Sequence, residues 1–218
     1  MKNYMKYQLA IFDLDGTLLD TLEDLADSMN YVLCRFGYPE RTLAEVRAFV
    51  GNGIRKLIEK SAPEQTAAEE IDRMLEVFLV YYKEHCADKT RPYAGIPELL
   101  QMLLEKGIKL AVVSNKADAA VKALCEQYFC GVFHEAVGER TGIARKPAPD
   151  TVNEVLKKLK MDKSRAVYIG DSEVDVQTAQ NAKLPCIAVD WGFRDAAVLK
   201  EAGAEVIAST PEEVLSYL

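Results

Sequence analysis

Short apolar runs rich in β-branched residues alternate with amphipathic stretches over most of this chain, and that alternation constrains the fold more than any other feature. The runs fall at Gln8 to Phe12, Lys109 to Ser114, Ala166 to Gly170, Cys186 to Val189 and Glu205 to Ile207. Helical patterns separate them, at Pro97 to Lys106, Ala117 to Tyr128, Pro149 to Lys160, Val174 to Ala182 and Asp195 to Ala202. Strands alternating with helices imply right-handed crossovers and a parallel sheet covered on both faces.

The alternation breaks once, after the first run. From about Asp20 to Lys89 the pattern is helix after helix. Leu22, Leu25, Ala26, Met29, Leu33 and Phe36 recur at helical spacing, with Asp20 or Thr21 as the cap. Thr42 and Glu45 have the spacing of a capping box. A third helix is expected over Gly53 to Lys60. A fourth spans Thr66 to His85, with Ile71, Met74, Leu75, Phe78 and Leu79 on one face. The predicted fold is therefore α/β: a Rossmann-like parallel-sheet core (residues 1–19 and 90–218) with a small all-helical domain (residues 20–89) inserted after the first strand. Arg91-Pro92-Tyr93-Ala94-Gly95, rich in turn formers, marks the return to the core.

Composition narrows the class of function. Among 218 residues, 34 acidic against 27 basic give a net charge of -7, which disfavours nucleic acid and anionic membranes as partners. No apolar run approaches the ~20 residues of a spanning helix. The N-terminus lacks the pattern of a signal peptide, so a cytoplasmic location is expected. The five cysteines are odd in number and fit no zinc or disulfide framework, so they read as structural thiols. Any phosphate site on so acidic a chain must be local, made by a metal and a few placed cations. A monomer and a dimer fit the sequence equally.

Open parallel sheets bind ligands beyond the carboxyl ends of their strands. The first run ends in Asp13-Leu14-Asp15-Gly16-Thr17, the second in Ser114-Asn115, and the third in Gly170-Asp171 with Asp175 four residues on. Lys146 lies in the loop before another helix. Clustered carboxylates repel unless a cation joins them, and oxygen ligands with open water positions suit magnesium. Asp13 and Asp171 are the candidate ligands, with Asp175 a further or outer one. Asp13 suits an in-line nucleophile that forms an aspartyl phosphate, and Asp15 a general acid and base on the same side. Ser114 and Lys146 are assigned to the transferring phosphoryl group. Thr17 and Asn115 are assigned to substrate binding, and the Thr17 hydroxyl is expected to hold Asp15.

These motifs, in this order, resemble the haloacid dehalogenase superfamily on its phosphatase side. The resemblance implies Asp13 as nucleophile and Asp15 as acid and base. It also implies that Asp15 lends its backbone carbonyl to Mg2+, and that the helical insertion closes over the site. Asp20-Thr21, the stretch Val50 to Lys56, Arg91 to Ile96 and Val113 to Lys116 resemble the phosphoglycolate phosphatase subfamily. A small phosphorylated metabolite is the implied substrate. Asn52 and Gly53 before a helix, with Arg55, are candidates for holding a small anion such as a carboxylate. A β-phosphoglucomutase-like mutase, a pyrophosphatase or a nucleotidase of the same superfamily would share much of this pattern. A receiver-like module would share the acidic pocket and lack the insertion.

Overall fold

A computed structural model describes residues 6–218. The chain starts with β1 (Leu9–Phe12) and β2 (Leu19–Asp20). Four helices follow: α1 (Leu22–Arg35), α2 (Leu43–Phe49), α3 (Ile54–Ser61) and α4 (Ala68–His85). After β3 (Arg91–Pro92) come α5 (Ile96–Glu105), β4 (Lys109–Ala117), α6 (Asp118–Phe129), β5 (Glu135–Glu139) and α7 (Asp150–Leu159). The chain ends with β6 (Ala166–Gly170), α8 (Glu173–Ala182), β7 (Cys186–Val189), α9 (Ala196–Glu201), β8 (Val206–Ala208) and α10 (Pro211–Tyr217). Two compact units result, one of residues up to Leu19 with Pro92–Leu218 and one of Asp20–Arg91.

The first unit is a six-stranded sheet in the order β5-β4-β1-β6-β7-β8, parallel at every pairing. From β1 the chain builds outward through β4 and β5, then returns to build the other side from β6. This reversal leaves a crevice at the carboxyl ends of β4, β1 and β6, the position where such sheets bind ligands. β1 is fixed there because Leu9, Ala10, Ile11 and Phe12 are at most 1% exposed. Each large apolar side chain so buried contributes about 1.5–3 kcal/mol.

Three features of this unit were not foreseen from the sequence. β5 is an edge strand whose run Glu135-Ala-Val-Gly-Glu139 has glutamate at both ends and one branched apolar side chain, so it does not stand out. α10, with Pro211 in its first turn and the Thr210 hydroxyl accepting from the Glu213 N–H, is only 7 residues long. β4 runs on to Ala117, beyond the expected end at Ser114.

The helical unit holds itself together by apolar stripes. α1 buries Leu25, Ala26, Met29, Val32 and Leu33. α4 buries Ile71, Met74, Phe78 and Tyr82, whereas Leu79 is 48% exposed. The stripe continues through Tyr82 rather than Leu79, a correction to the expected face. Thr42 and Glu45 form the expected capping box. Thr21 precedes α1 without a capping bond from its side chain. One carboxylate is buried here: Asp24 accepts from the Lys89 N–H at 2.9 Å, the Thr90 N–H at 2.8 Å and the Thr90 hydroxyl at 2.7 Å. Among the described residues no helix is long and apolar enough to cross a membrane.

Candidate active site

Asp13 leaves β1 with its N–H donating to the Ile169 carbonyl at 2.9 Å, so the parallel ladder continues into the loop that follows. Gly16 then turns the chain at φ 86°. It is glycine for space as well as for that angle, since a Cβ there would lie 2.3 Å from Asp171 Oδ2. The Thr17 hydroxyl donates to Asp171 Oδ1 at 2.9 Å. The expected contact from Thr17 to Asp15 is therefore not made: the tight turn at Gly16 swings Thr17 toward the next strand end.

Asp15 is held instead by Lys116, whose Nζ lies 2.8 Å from Asp15 Oδ1. Lys116 reaches it because β4 bulges: between Val113 and Ala117 it spends four residues where β5 spends two, Val137 to Glu139. Ser114, Asn115 and Lys116 sit in this irregular stretch. Asn115 uses its side-chain amide to donate to the Lys146 carbonyl at 3.1 Å. In this structure it thus braces the lysine loop. The Pro147 carbonyl accepts from Asn181 at 2.8 Å, which secures that loop on its other side.

Lys146 is 4% exposed. Its ammonium lies 2.8 Å from Asp13 Oδ1 and 2.7 Å from Asp175 Oδ1. At the end of β6, Ser172 caps α8 in a box with Asp175. Asp175 Oδ2 accepts from the Ser172 hydroxyl at 2.6 Å and its N–H at 3.1 Å. Its Oδ1 accepts from Lys146 and from the Tyr168 hydroxyl, at 2.7 and 3.1 Å.

The loop after β7 completes the crevice, and the sequence reading missed it. The Phe193 N–H donates to Asp171 Oδ2 at 2.7 Å, and the Trp191 indole donates to the Thr17 carbonyl at 3.1 Å. Gly192 is crowded between them, with space for no Cβ against the Gly16 carbonyl. The signal available was position alone: this loop also follows the carboxyl end of a core strand.

Residues 10–189 match the family model described as haloacid dehalogenase-like hydrolase. The chain belongs to that family. It is similar to a phosphoglycolate phosphatase of Mesorhizobium japonicum, 36% identical over 195 residues, covering 88% of this chain and 86% of the relative. The phosphoglycolate phosphatase of Aquifex aeolicus is 33% identical over 187 residues, covering 85% and 86%. Among solved structures, one from Lactobacillus delbrueckii subsp. bulgaricus, whose name proposes a phosphoglycolate phosphatase, superposes with a TM-score of 0.93. It is 42% identical and covers 98% of this chain and 99% of its own.

Electrostatics set this haloacid dehalogenase-like crevice apart from the rest of the molecule. Asp13, Asp15, Asp171 and Asp175 face Lys116 and Lys146, so four carboxylates meet two ammoniums and two negative charges stay unbalanced when all are ionised. Burial pushes the Asp13 carboxyl up to about 7; Lys146 opposes the rise, while Asp175 and Asp15 add to it. Burial likewise raises Asp171 well above the usual range, aided by Asp175 and Asp13. Burial disfavours the charged form of Lys146, but Asp13 and Asp175 outweigh it and keep the ammonium protonated.

Such a set fits a hard cation. Oxygens of Asp13, Asp171 and Asp175 lie within 4.8 Å of one another. Asp13 Oδ1 is buried without a hydrogen bond, because Lys146 approaches it as an ion pair outside hydrogen-bonding geometry. Each Asp171 oxygen has a single donor and a lone pair to spare. Asp175 differs, since two donors engage each of its oxygens. Oxygen donors of this kind suit Mg2+.

Asn52, Gly53 and Arg55 belong to the helical unit. Gly53 precedes α3 at φ 80°. The Arg55 guanidinium pairs with Glu59 at 3.2 Å and with Asp72, and Lys56 pairs with Glu59. Arg55, the cation expected to hold an anion, thus stands between two acids of its own unit, Glu59 and Asp72.

Proposed function

We propose that this protein is a magnesium-dependent phosphatase that hydrolyses a small phosphomonoester, with 2-phosphoglycolate as its preferred substrate. The observation that carries the reading is the pairing of Asp13 with Lys146 and of Asp15 with Lys116 at the end of one strand. The substrate rests on the relatives named phosphoglycolate phosphatases, which share 33–36% of their residues with this chain over most of their length.

Asp13 attacks phosphorus in line, forming a P–O bond to its carboxylate as the bond to the leaving oxygen breaks. Asp15 gives its proton to that oxygen, then takes one from the water that hydrolyses the aspartyl phosphate. Lys116 holds Asp15 on the side of the leaving group. Lys146 and Ser114 bind the phosphoryl oxygens, where a compact ammonium offsets charge as it builds. Asp13, Asp171 and the Asp15 carbonyl would hold Mg2+, and bound there it would offset the charge of the phosphoryl group. Asp175 acts on Lys146 rather than on the metal, its oxygens being occupied. The helical unit is assigned the choice of substrate.

The test is phosphate release from 2-phosphoglycolate, pyrophosphate, sugar phosphates and nucleotides, with magnesium and with a chelator. β-Glucose 1-phosphate is also followed for isomerisation. Magnesium-dependent preference for 2-phosphoglycolate is expected. Release spread evenly over the panel removes the substrate assignment, and isomerisation without release replaces the phosphatase by a mutase.

A further inference from the structure

Tyr168 lies in the middle of β6, three residues before Asp171, within an apolar run. Its ring packs in the core cluster with Leu9, Ile11, Val113 and Val155, and the side chain is 0% exposed. By pattern it is a core residue, yet phenylalanine would fill that space. A buried hydroxyl is costly unless hydrogen-bonded, so the oxygen has to be explained by its partners.

Those partners are in the crevice. The hydroxyl lies 3.1 Å from Lys146 Nζ, 3.1 Å from Asp175 Oδ1 and 3.3 Å from the Val113 carbonyl. It accepts from the ammonium through a lone pair, and shares its one proton between Asp175 and the carbonyl. An ammonium has three donors and no acceptor. Lys146 directs two of them at Asp175 Oδ1 and the Tyr168 oxygen, and meets Asp13 Oδ1 as an ion pair. Tyr168 is the neutral member of this set and the one anchored by a rigid ring in the core. Asp13 reacts and Asp175 sits on a helix, so neither fixes the ammonium from the sheet itself.

We propose that Tyr168 is a positioning residue, whose hydroxyl holds the Lys146 ammonium between Asp13 and Asp175 for phosphoryl transfer. This inference rests on the phosphatase reading above. Loss of the hydroxyl frees the ammonium to rotate away from the phosphoryl oxygens, which matters most where charge develops in the transition state.

The experiment is a double-mutant cycle on the full-length protein, with kcat and KM measured per folded molecule. Tyr168→Phe is expected to lower kcat ~10-fold with KM changed less than about twofold, the pattern of an interaction made in the transition state. Adding Tyr168→Phe to Lys146→Met is expected to change kcat no further, since Tyr168 acts through that lysine. An unchanged kcat in Tyr168→Phe, or a second full loss in the double variant, overturns the proposal. A measurement without turnover decides the same point should Lys146→Met fail to fold. In protein labelled with 15N at lysine side chains, the Lys146 ammonium signal, assigned through the Tyr168 ring protons, is expected to broaden or vanish in Tyr168→Phe. An identical signal overturns the proposal. Wild-type protein that releases no phosphate overturns the phosphatase reading instead, and the ammonium signal still tests the positioning.

Discussion

The two units bury carboxylates in opposite ways. In the helical unit Asp24 stands alone, and backbone and hydroxyl donors from Lys89 and Thr90 surround it. It fastens the end of the unit to α1, and no other carboxylate of that unit is buried with it. In the core unit Asp13, Asp171 and Asp175 are pressed together, and Asp13 Oδ1 has no hydrogen bond. A buried acid is therefore no signature of chemistry by itself. What separates the two settings is crowding: Asp24 meets only neutral donors, whereas the carboxylates of the crevice press on one another and share the Lys146 ammonium. The cations tell the same story: Arg55 and Lys56 pair on an exposed face, while Lys116 and Lys146 are buried against acids of the crevice.

This contrast can be broken most directly at Asp13. Asp13→Asn is expected to lose at least ~10⁴-fold in kcat, the scale of removing an essential nucleophile, with the melting temperature nearly unchanged. Substantial turnover in a pure, folded variant would remove the nucleophile from the proposal.

The next largest effect is the pH dependence of the metal-free protein. With its carboxyl at about 7 in the folded state against 3.8 when exposed, Asp13 retains a proton that the unfolded chain releases. Stability from this group is greatest at acid pH and is lost as pH rises through 7. Melting in chelator should therefore fall between pH 5 and 8, and magnesium should raise it more at pH 8 than at pH 5. A magnesium effect equal at both would mean that the crowded carboxylates do not carry the metal.

Asp24→Ala sharpens the contrast from the other side. It leaves buried donors unanswered and should cost about 2–3 kcal/mol in denaturant unfolding, with kcat per folded molecule retained. A loss of kcat without a loss of stability would place Asp24 among the reactive acids.

The smallest effect lies away from both clusters. Lys160 follows α7 at φ 52°, a left-handed position that favours glycine. Lys160→Gly should stabilise the core unit by ~1 kcal/mol, read as a shift in the denaturation midpoint. No gain there would mean that the lysine side chain repays its strain.

How much of this was legible in the sequence follows from chemistry at strand ends. Asp13, Asp15, Ser114 and Asp171 could be read because each follows an apolar run at a predictable edge, and Lys146 and Asp175 because they complete the same ordered set of motifs. Lys116 and Tyr168 could not, because a lysine near a strand end and a tyrosine within a strand each have an ordinary reading. Only the bulge in β4 and the register of β6 against β1 bring them to the crevice. The partners of Thr17 and Asn115 were obscured for the same reason: the turn at Gly16 and the bulge choose where those side chains point. In the helical unit, Glu59 and Asp72 lie four and 17 residues from Arg55, and the second distance is bridged only by folding.

The indole of Trp191, tied to the Thr17 carbonyl, is the chain's single tryptophan. Its emission spectrum therefore comes from one place, the loop that braces Asp171. Intrinsic fluorescence thus reads that loop without any label, and a stopped-flow trace would time the arrival of an ion or substrate separately from the release of product.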